Sequence, residues 1–166
     1  MSKRRPSIVG GAIRGAIAGA IGTWVMDQVT TGLYQAQSES DTQREEAARP
    51  NGQSSVANML DRVEETTGLR LSGGARPTVE QLVHYGLGTV PGAIYGALRS
   101  RVPLLGAGRG VFYGLALFGA NDEALNTELG FAGPYDAYPW SSHWRGLVGH
   151  AILGLTTDTT LDLLGG

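Results

Sequence analysis

The chain has 166 residues, no cysteine and a formal net charge of −2. This length fits a single domain, residues 1–166, and the scattered Lys and Arg residues exclude the basic surface of a nucleic-acid-binding protein. The absence of cysteine excludes a disulfide framework, a thiol nucleophile and Cys-ligated zinc.

Two features of the composition favour a membrane protein. The chain contains 26 glycines, and only 17% of its residues are charged, against about 25% in typical globular domains. The glycines lie inside apolar runs of helical length, where each would weaken a water-soluble helix by about 1 kcal/mol relative to alanine. Membrane helices use glycine freely because it lets backbones approach closely.

These runs predict an all-α fold, a four-helix transmembrane bundle with up-down-up-down topology. The predicted spans are 8–34, 79–99, 103–126 and 142–164, each near the 20 residues that a bilayer requires. Four residues interrupt the apolar runs, namely Arg14, His84, Arg109 and His150. A water-soluble fold therefore remains the alternative.

Glycines four residues apart lie along one face of a helix, so they form grooves in which membrane helices pack. Such Gly-xxx-Gly series recur in the spans: Gly11, Gly15 and Gly19; Gly88, Gly92 and Gly96; Gly106, Gly110 and Gly114; and, with a histidine at the middle step, Gly146, His150 and Gly154. The first span, preceded by Lys3, Arg4 and Arg5, also resembles a cleaved signal peptide. Arg14 splits its apolar core, which argues against that alternative.

The loop 35–78 is polar and of mixed charge. Within it, Ser54 or Ser55 is placed to cap a short amphipathic helix, because Val56, Met59, Leu60 and Val63 follow at helical spacing. This helix is expected to lie on the membrane surface. The other long loop, 127–141, ends near Trp140 and Trp144, typical residues of an interfacial aromatic belt.

Basic residues predict the orientation. Four spans place the N-terminus, the connection 99–102 and the C-terminus on one side, and this side carries Lys3, Arg4, Arg5, Arg99 and Arg101. By the positive-inside tendency that side is cytoplasmic. The loops 35–78 and 127–141 then face outward.

An Arg-Gly pair followed twelve residues later by aspartate occurs three times: Arg14-Gly15 with Asp27, Arg109-Gly110 with Asp122, and Arg145-Gly146 with Asp158. Thirteen residues span about 20 Å of helix, so the Arg and Asp of one copy cannot pair with each other. Between antiparallel helices, Arg145 is expected to pair with Asp27 or Asp122 near the outer interface. Asp158 is expected to pair with Arg14 or Arg109 near the inner one, since charges inside a membrane usually pair.

The histidines and the outer-level charges together form the candidate polar intramembrane site. Its members are Asp27, His84, Asp122, Glu123, His143, Arg145 and His150. All but His150 are predicted near the outer end, and His150 is predicted about two turns deeper than His143. Histidine changes charge between pH 5 and 8, so the set predicts a proton-responsive site. The alternatives are ordinary hydrogen-bonded histidines, a metal site, or a haem held by His143 and His150 with His84 opposite. No motif for a nucleophile or a phosphate loop is present, so we expect no enzymatic activity and no cofactor or metal.

Several ordered motifs resemble one family: Gly15-Ala-Ile-Ala-Gly19 with Trp24 and Asp27, His84-Tyr-Gly-Leu-Gly88, Gly92-Ala-Ile-Tyr-Gly96, Asp122-Glu123, and Pro139-Trp-Ser-Ser-His143-Trp-Arg145-Gly146 with Gly149-His150. The chain resembles the YagU-like bacterial inner-membrane proteins, a domain of unknown function. The resemblance implies a multi-pass inner-membrane protein with a link to acid resistance. The polar site predicts proton or ion handling, and the resemblance adds acid stress as its setting. The small size and the glycine-lined faces predict a second copy or a membrane protein as partner, besides the lipid bilayer. The alternatives are a structural or scaffolding membrane protein and a haem- or metal-binding membrane subunit.

Overall fold

A computed structural model of the chain describes residues 7–102 and 104–165. Within these ranges the protein is helical and contains no β-strand, as the all-α prediction requires. Lys3, Arg4 and Arg5, on which the predicted orientation partly depends, lie outside the described residues.

The helices, in chain order, are α1 (Ile8–Gln35), α2 (Glu39–Ala48), α3 (Ser55–Thr67), α4 (Arg76–Leu98), α5 (Val111–Leu117), α6 (Asn126–Glu128) and α7 (Trp140–Leu163). A π-helical segment, Phe118–Leu125, joins α5 to α6. Short 3-10 turns lie at Pro50–Gly52, Ala107–Gly110 and Tyr135–Ala137.

Serine caps begin the first three helices. The side-chain oxygens of these serines accept hydrogen bonds of 3.0 to 3.2 Å from backbone N–H groups three residues later, at Ser7, Ser38 and Ser54. Such a cap stabilises a helix by about 1 kcal/mol. The cap at Ser54 and the helix that follows it confirm the predicted short helix of the loop 35–78, which ends at Gly68 in the left-handed conformation.

Helices α1 and α4 pack antiparallel along their glycine series. A Cβ atom added to Gly11 would lie 2.5 Å from the carbonyl oxygen of Gly96, and one added to Gly19 would lie 2.5 Å from that of Gly88. Real Cβ atoms do not approach a carbonyl oxygen this closely, so only glycine permits this helix–helix distance. The predicted grooves are therefore the contact surfaces of this pair.

A second antiparallel pair is formed by α5 and α7. Gly114 lies against the backbone of His150, and Gly110 lies against that of Gly154. Helix α1 also contacts α7, where Gly22 faces the side chain of Thr157. The bundle thus has two ends: the cavity end, near Asp27 and His143, and the termini end, near Ser7 and Leu163.

The predicted span 103–126 is wrong at its start. Gly108, Arg109 and Gly110 have positive φ angles of 64°, 54° and 81°, so the backbone there turns and the helix begins only at Val111. Helical structure then continues to Glu128. The loop 35–78 likewise contains a helix that the sequence pattern did not predict, α2, whose residues are polar on every side.

In α1 and α4 the small residues are buried and the large apolar residues are exposed, which is the reverse of the arrangement in water-soluble helices. The buried face of α1 consists of Gly11, Gly15, Ala18, Gly19, Gly22 and Thr23, whereas its exposed face carries Val9, Ile13, Ile17, Ile21 and Trp24. Helix α4 repeats this arrangement, with buried glycines and exposed Leu82, Val90 and Ile94. Water-soluble bundles turn an apolar stripe towards the core.

By length and composition, α1 alone among the described helices is apolar enough to cross a membrane. Helices α4 and α7 have 23 and 24 residues, but many of these are glycine or polar. The helical bundle is therefore established, while the four membrane crossings remain a prediction.

Candidate functional site

A cavity of about 480 Å³ opens at the cavity end of the bundle. Its walls come from α1, α2, α3, α4, the π-helical segment and α7. All three histidines of the chain, His84, His143 and His150, line it. Each of them lies next to a different carboxylate, so the cavity collects three His–carboxylate pairs.

His143 and Glu123 form the tightest of these pairs. His143 Nδ1 lies 2.8 Å from Glu123 Oε1, while His143 Nε2 lies 3.1 Å from the carbonyl oxygen of Tyr135. A carbonyl oxygen only accepts, so the proton on Nε2 is already engaged. A hydrogen bond between Nδ1 and Glu123 therefore needs one further proton, carried either by the imidazole as a cation or by the carboxyl group.

Aromatic rings surround His143. Its ring stacks on Tyr135 at a centroid distance of 4.0 Å, and the rings of Trp140 and Tyr138 lie 6.1 and 6.4 Å away. The faces of aromatic rings attract cations. An imidazolium at this position therefore has favourable partners in addition to Glu123, and its side chain is only 11% exposed.

His150 and Asp122 form a looser and deeper pair. The Nδ1 atom of His150 lies 3.1 Å from the carbonyl oxygen of Gly146 and 3.7 Å from Asp122 Oδ2. Because the carbonyl fixes a proton on Nδ1, the other nitrogen, Nε2, is the one left to take up or release a proton. His150 is buried, so it replaces a glycine of the Gly-xxx-Gly series with a titratable group facing the interior.

His84 and Asp27 form the third pair, with 2.9 Å between His84 Nε2 and Asp27 Oδ1. A neutral imidazole can make this hydrogen bond, since its Nε2–H can donate to a charged carboxylate. Asp122 interacts electrostatically with both His84 and His150 and with Glu123, so the three pairs are linked through this carboxylate.

The π-helical segment positions both Asp122 and Glu123. π-Helical turns are rare and are often found at functional sites, because the additional residue in the turn reorients the side chains that follow. Asn121 in the same segment donates a hydrogen bond of 2.9 Å to Asp122. The sequence carries no simple signal for this segment.

Arg145 does not have the predicted partner. Its Nη2 donates a hydrogen bond of 2.7 Å to Glu45, and its Nη1 donates one of 2.6 Å to Gln37. In the part of the chain that is described, Arg145 makes no ion pair with Asp27 or Asp122. The reason is that α2 folds back across α7 at this end and brings a nearer carboxylate.

Glu45 is therefore a central residue that the sequence analysis missed. It is only 3% exposed and is the one buried residue of α2. We name it, together with Arg49, Ser142 and Arg145, the Glu45 cluster. Burial by itself raises the pKa of the Glu45 carboxyl, but hydrogen bonds from Arg145, Ser142 and Arg49 outweigh it and lower the pKa from 4.5 to about 2. The carboxylate stays charged throughout the physiological range.

The predicted inner ion pairs are also formed differently. Asp158 is 5% exposed and accepts hydrogen bonds from Arg99 and, at 2.6 Å, from Tyr95. Arg14 instead donates a hydrogen bond of 3.0 Å to the carbonyl oxygen of Gly165. Arg109 lies in the turn before α5 and forms no ion pair within the described ranges, because the irregular backbone removes it from the helix.

A metal site is not apparent. Among the described residues, no three His, Asp or Glu side chains are grouped so that they could hold a metal ion. Each histidine instead faces a carboxylate or a backbone carbonyl group.

Comparison with protein-family models, curated proteins and solved structures gave no match. The resemblance to the YagU-like family therefore stays a prediction that depends on the short motifs given above.

Proposed function

We propose that this chain is a multi-pass protein of the bacterial inner membrane whose cavity binds and releases protons. The observation that carries the proposal is the hydrogen-bond arrangement of His143. Its Nε2 proton is used by the Tyr135 carbonyl, so its contact with Glu123 at 2.8 Å requires an exchangeable proton shared by the pair. This site contributes to proton or ion handling, and the YagU-like motifs suggest acid stress as its setting.

The exposed apolar faces support the membrane location. Bulky residues such as Ile13, Ile17 and Val90 point outward while glycines fill the helix contacts. Lipid is the environment in which such surfaces are stable, because packing of small residues drives helix association there. The proposed crossings are α1, α4, the helical run 111–128 and α7, with both termini in the cytoplasm.

The net charge of the cavity is expected to change with pH. When a histidine of the cavity takes up a proton it becomes cationic, and the nearby carboxylates Asp27, Asp122 and Glu123 compensate part of this charge. The neighbouring Glu45 cluster keeps its charges, since the pKa of Glu45 is about 2. Mild acid therefore changes the charge of the His–carboxylate pairs and leaves the charges of the Glu45 cluster beside them unaltered.

Cell fractionation tests the location, since the protein should sediment with the inner membrane and resist extraction by alkaline carbonate. Recovery in the cytosol would refute this part.

The proton site is tested by nuclear magnetic resonance of ring-labelled histidine in nanodiscs between pH 4 and 8. We expect the His143 signal to change protonation state, and Glu123→Gln to displace its midpoint while His84 is little affected. A His143 ring in one state throughout would refute proton binding and would favour a purely structural or scaffolding protein.

A further inference from the structure

Two buried hydroxyl groups have no hydrogen-bond partner among the described protein groups: Tyr113 Oη and Thr157 Oγ1. An unpaired buried hydroxyl is unfavourable, and in native proteins it usually indicates ordered water or a functional role. Neither residue belongs to the His–carboxylate pairs. Both nevertheless lie in one region of the bundle, between the cavity and the termini end.

Their depth follows from the buried face of α7. Leu153, Thr157 and Leu161 succeed one another at four-residue steps, which are about 6 Å apart along the axis. Leu153 lines the cavity. Leu161 belongs to the buried cluster with Ala18 and Tyr95, against which Tyr113 packs. Thr157 thus lies one turn below the cavity. Tyr113 packs against the Leu161 cluster from α5, whose backbone faces that of His150 and Gly154.

The next polar groups towards the termini end are already connected. The ring of Tyr113 stacks on Tyr95 with centroids 4.4 Å apart. Tyr95 donates a hydrogen bond of 2.6 Å to Asp158, which also accepts from Arg99. Arg99 in turn pairs with Asp162, whose side chain is 52% exposed at the termini end. A series of hydrogen bonds therefore runs from Tyr95, which the Tyr113 ring contacts, to the surface at Asp162.

We propose that Thr157 and Tyr113, together with buried water, form the middle of a path that conducts protons from the cavity to Asp158. This inference rests on the proposed proton-binding function of the cavity and extends it to transport across the bundle. Each oxygen along the path accepts one proton and releases one to the next. Tyr95 passes its hydroxyl proton to Asp158 as it receives another, and Asp158 releases its proton to water beside Asp162.

The charged and titratable groups around Asp158 fit this role. They are Tyr95 from α4, Arg99 just after it, Asp162 on the same helix as Asp158, and Tyr113 from α5 behind Tyr95. Arg99 donates hydrogen bonds to both Asp158 and Asp162, so it links the carboxylate beside Tyr95 with the exposed one.

The experiment uses the full chain in proteoliposomes that contain a pH-sensitive dye, with a potassium gradient and valinomycin as the driving force. Wild-type protein should move protons above the rate of protein-free vesicles. Thr157→Val and Tyr113→Phe, which remove only the hydroxyl groups, should each lower the rate at least tenfold. Thr156→Val and Tyr85→Phe are matched controls on the same chain and should retain the wild-type rate.

The His143 titration is recorded on every variant, and a wild-type titration establishes that the cavity is intact. Wild-type flux that is unchanged in both hydroxyl variants would overturn the path. A protein that shows no flux while His143 titrates would overturn conduction and leave the proton-binding site standing. If His143 does not titrate at all, the proposed function fails irrespective of the flux.

Discussion

Replacing Glu45 with glutamine is expected to loosen the docking of α2 on α7. The variant leaves Arg49 and Arg145 without the carboxylate that neutralises them, although Glu45 is almost completely buried in the native protein. A pKa lowered from 4.5 to about 2 corresponds to about 3 kcal/mol in favour of the charged carboxylate. Loss of one member of a buried ion pair typically costs a similar amount.

Hydrogen exchange measures this change locally, because docked α2 exchanges its amide protons only when it opens. A loss of about 3 kcal/mol should accelerate exchange of the α2 amides roughly 150-fold, since 1.4 kcal/mol is tenfold. Glu46→Gln is the matched control, because Glu46 is exposed, and should change exchange less than about threefold. Equal effects of the two variants would refute the assignment of the Glu45 cluster.

The pH dependence has a definite sign. The pKa of Glu45 is lower in the folded protein than in the unfolded chain, so its stabilisation is complete above about pH 4.5 and is lost as the pH falls towards 2. About half of it should remain at pH 3. After correction for intrinsic exchange rates, α2 protection that declines between pH 7 and 5 would contradict this account.

Two further predictions concern the backbone. Gly19→Ala should separate α1 from α4 and destabilise the bundle by about 2 kcal/mol or more, because its Cβ would lie 2.5 Å from the Gly88 carbonyl oxygen. The control is Gly32→Ala, at a position with open space, which should be neutral or stabilising. Equal melting temperatures of the two variants would contradict the proposed packing of α1 on α4. Deletion of Ala120 should convert the π-helical segment to α-helix and disturb the contacts of Asp122 and Glu123 together. A His143 titration unaltered by the deletion would show that the segment does not position the pair.

The sequence by itself predicted the long helices α1, α4 and α7, the short helix α3, and the contact faces of α1 and α4. Glycines at four-residue spacing predicted the grooves, and the contacts of Gly11 with Gly96 and of Gly19 with Gly88 confirm that these grooves pack together. Helical periodicity and a serine cap likewise identified α3. These features are local, since spacing along a helix fixes which side chains share a face.

The sequence also indicated which end of the bundle holds the histidines and carboxylates, because depth in an antiparallel bundle follows from residue number. It did not determine their partners. Arg145 pairs with Glu45, 100 residues away in a polar segment without an apolar face. Arg99, rather than Arg14 or Arg109, pairs with Asp158.

Only the tertiary structure decided these pairings, for two physical reasons. A charged side chain pairs with the nearest opposite charge after the helices have packed, and this distance depends on how α2 folds back and where the turn at Gly108–Gly110 begins α5. The π-helical segment, in addition, sets where the side chains of Asp122 and Glu123 point, and no simple sequence signal marks it. The helix propensities of individual residues contain no information about either effect. The sequence could therefore predict the set of ionisable residues but not the proton-sharing pair of His143 and Glu123.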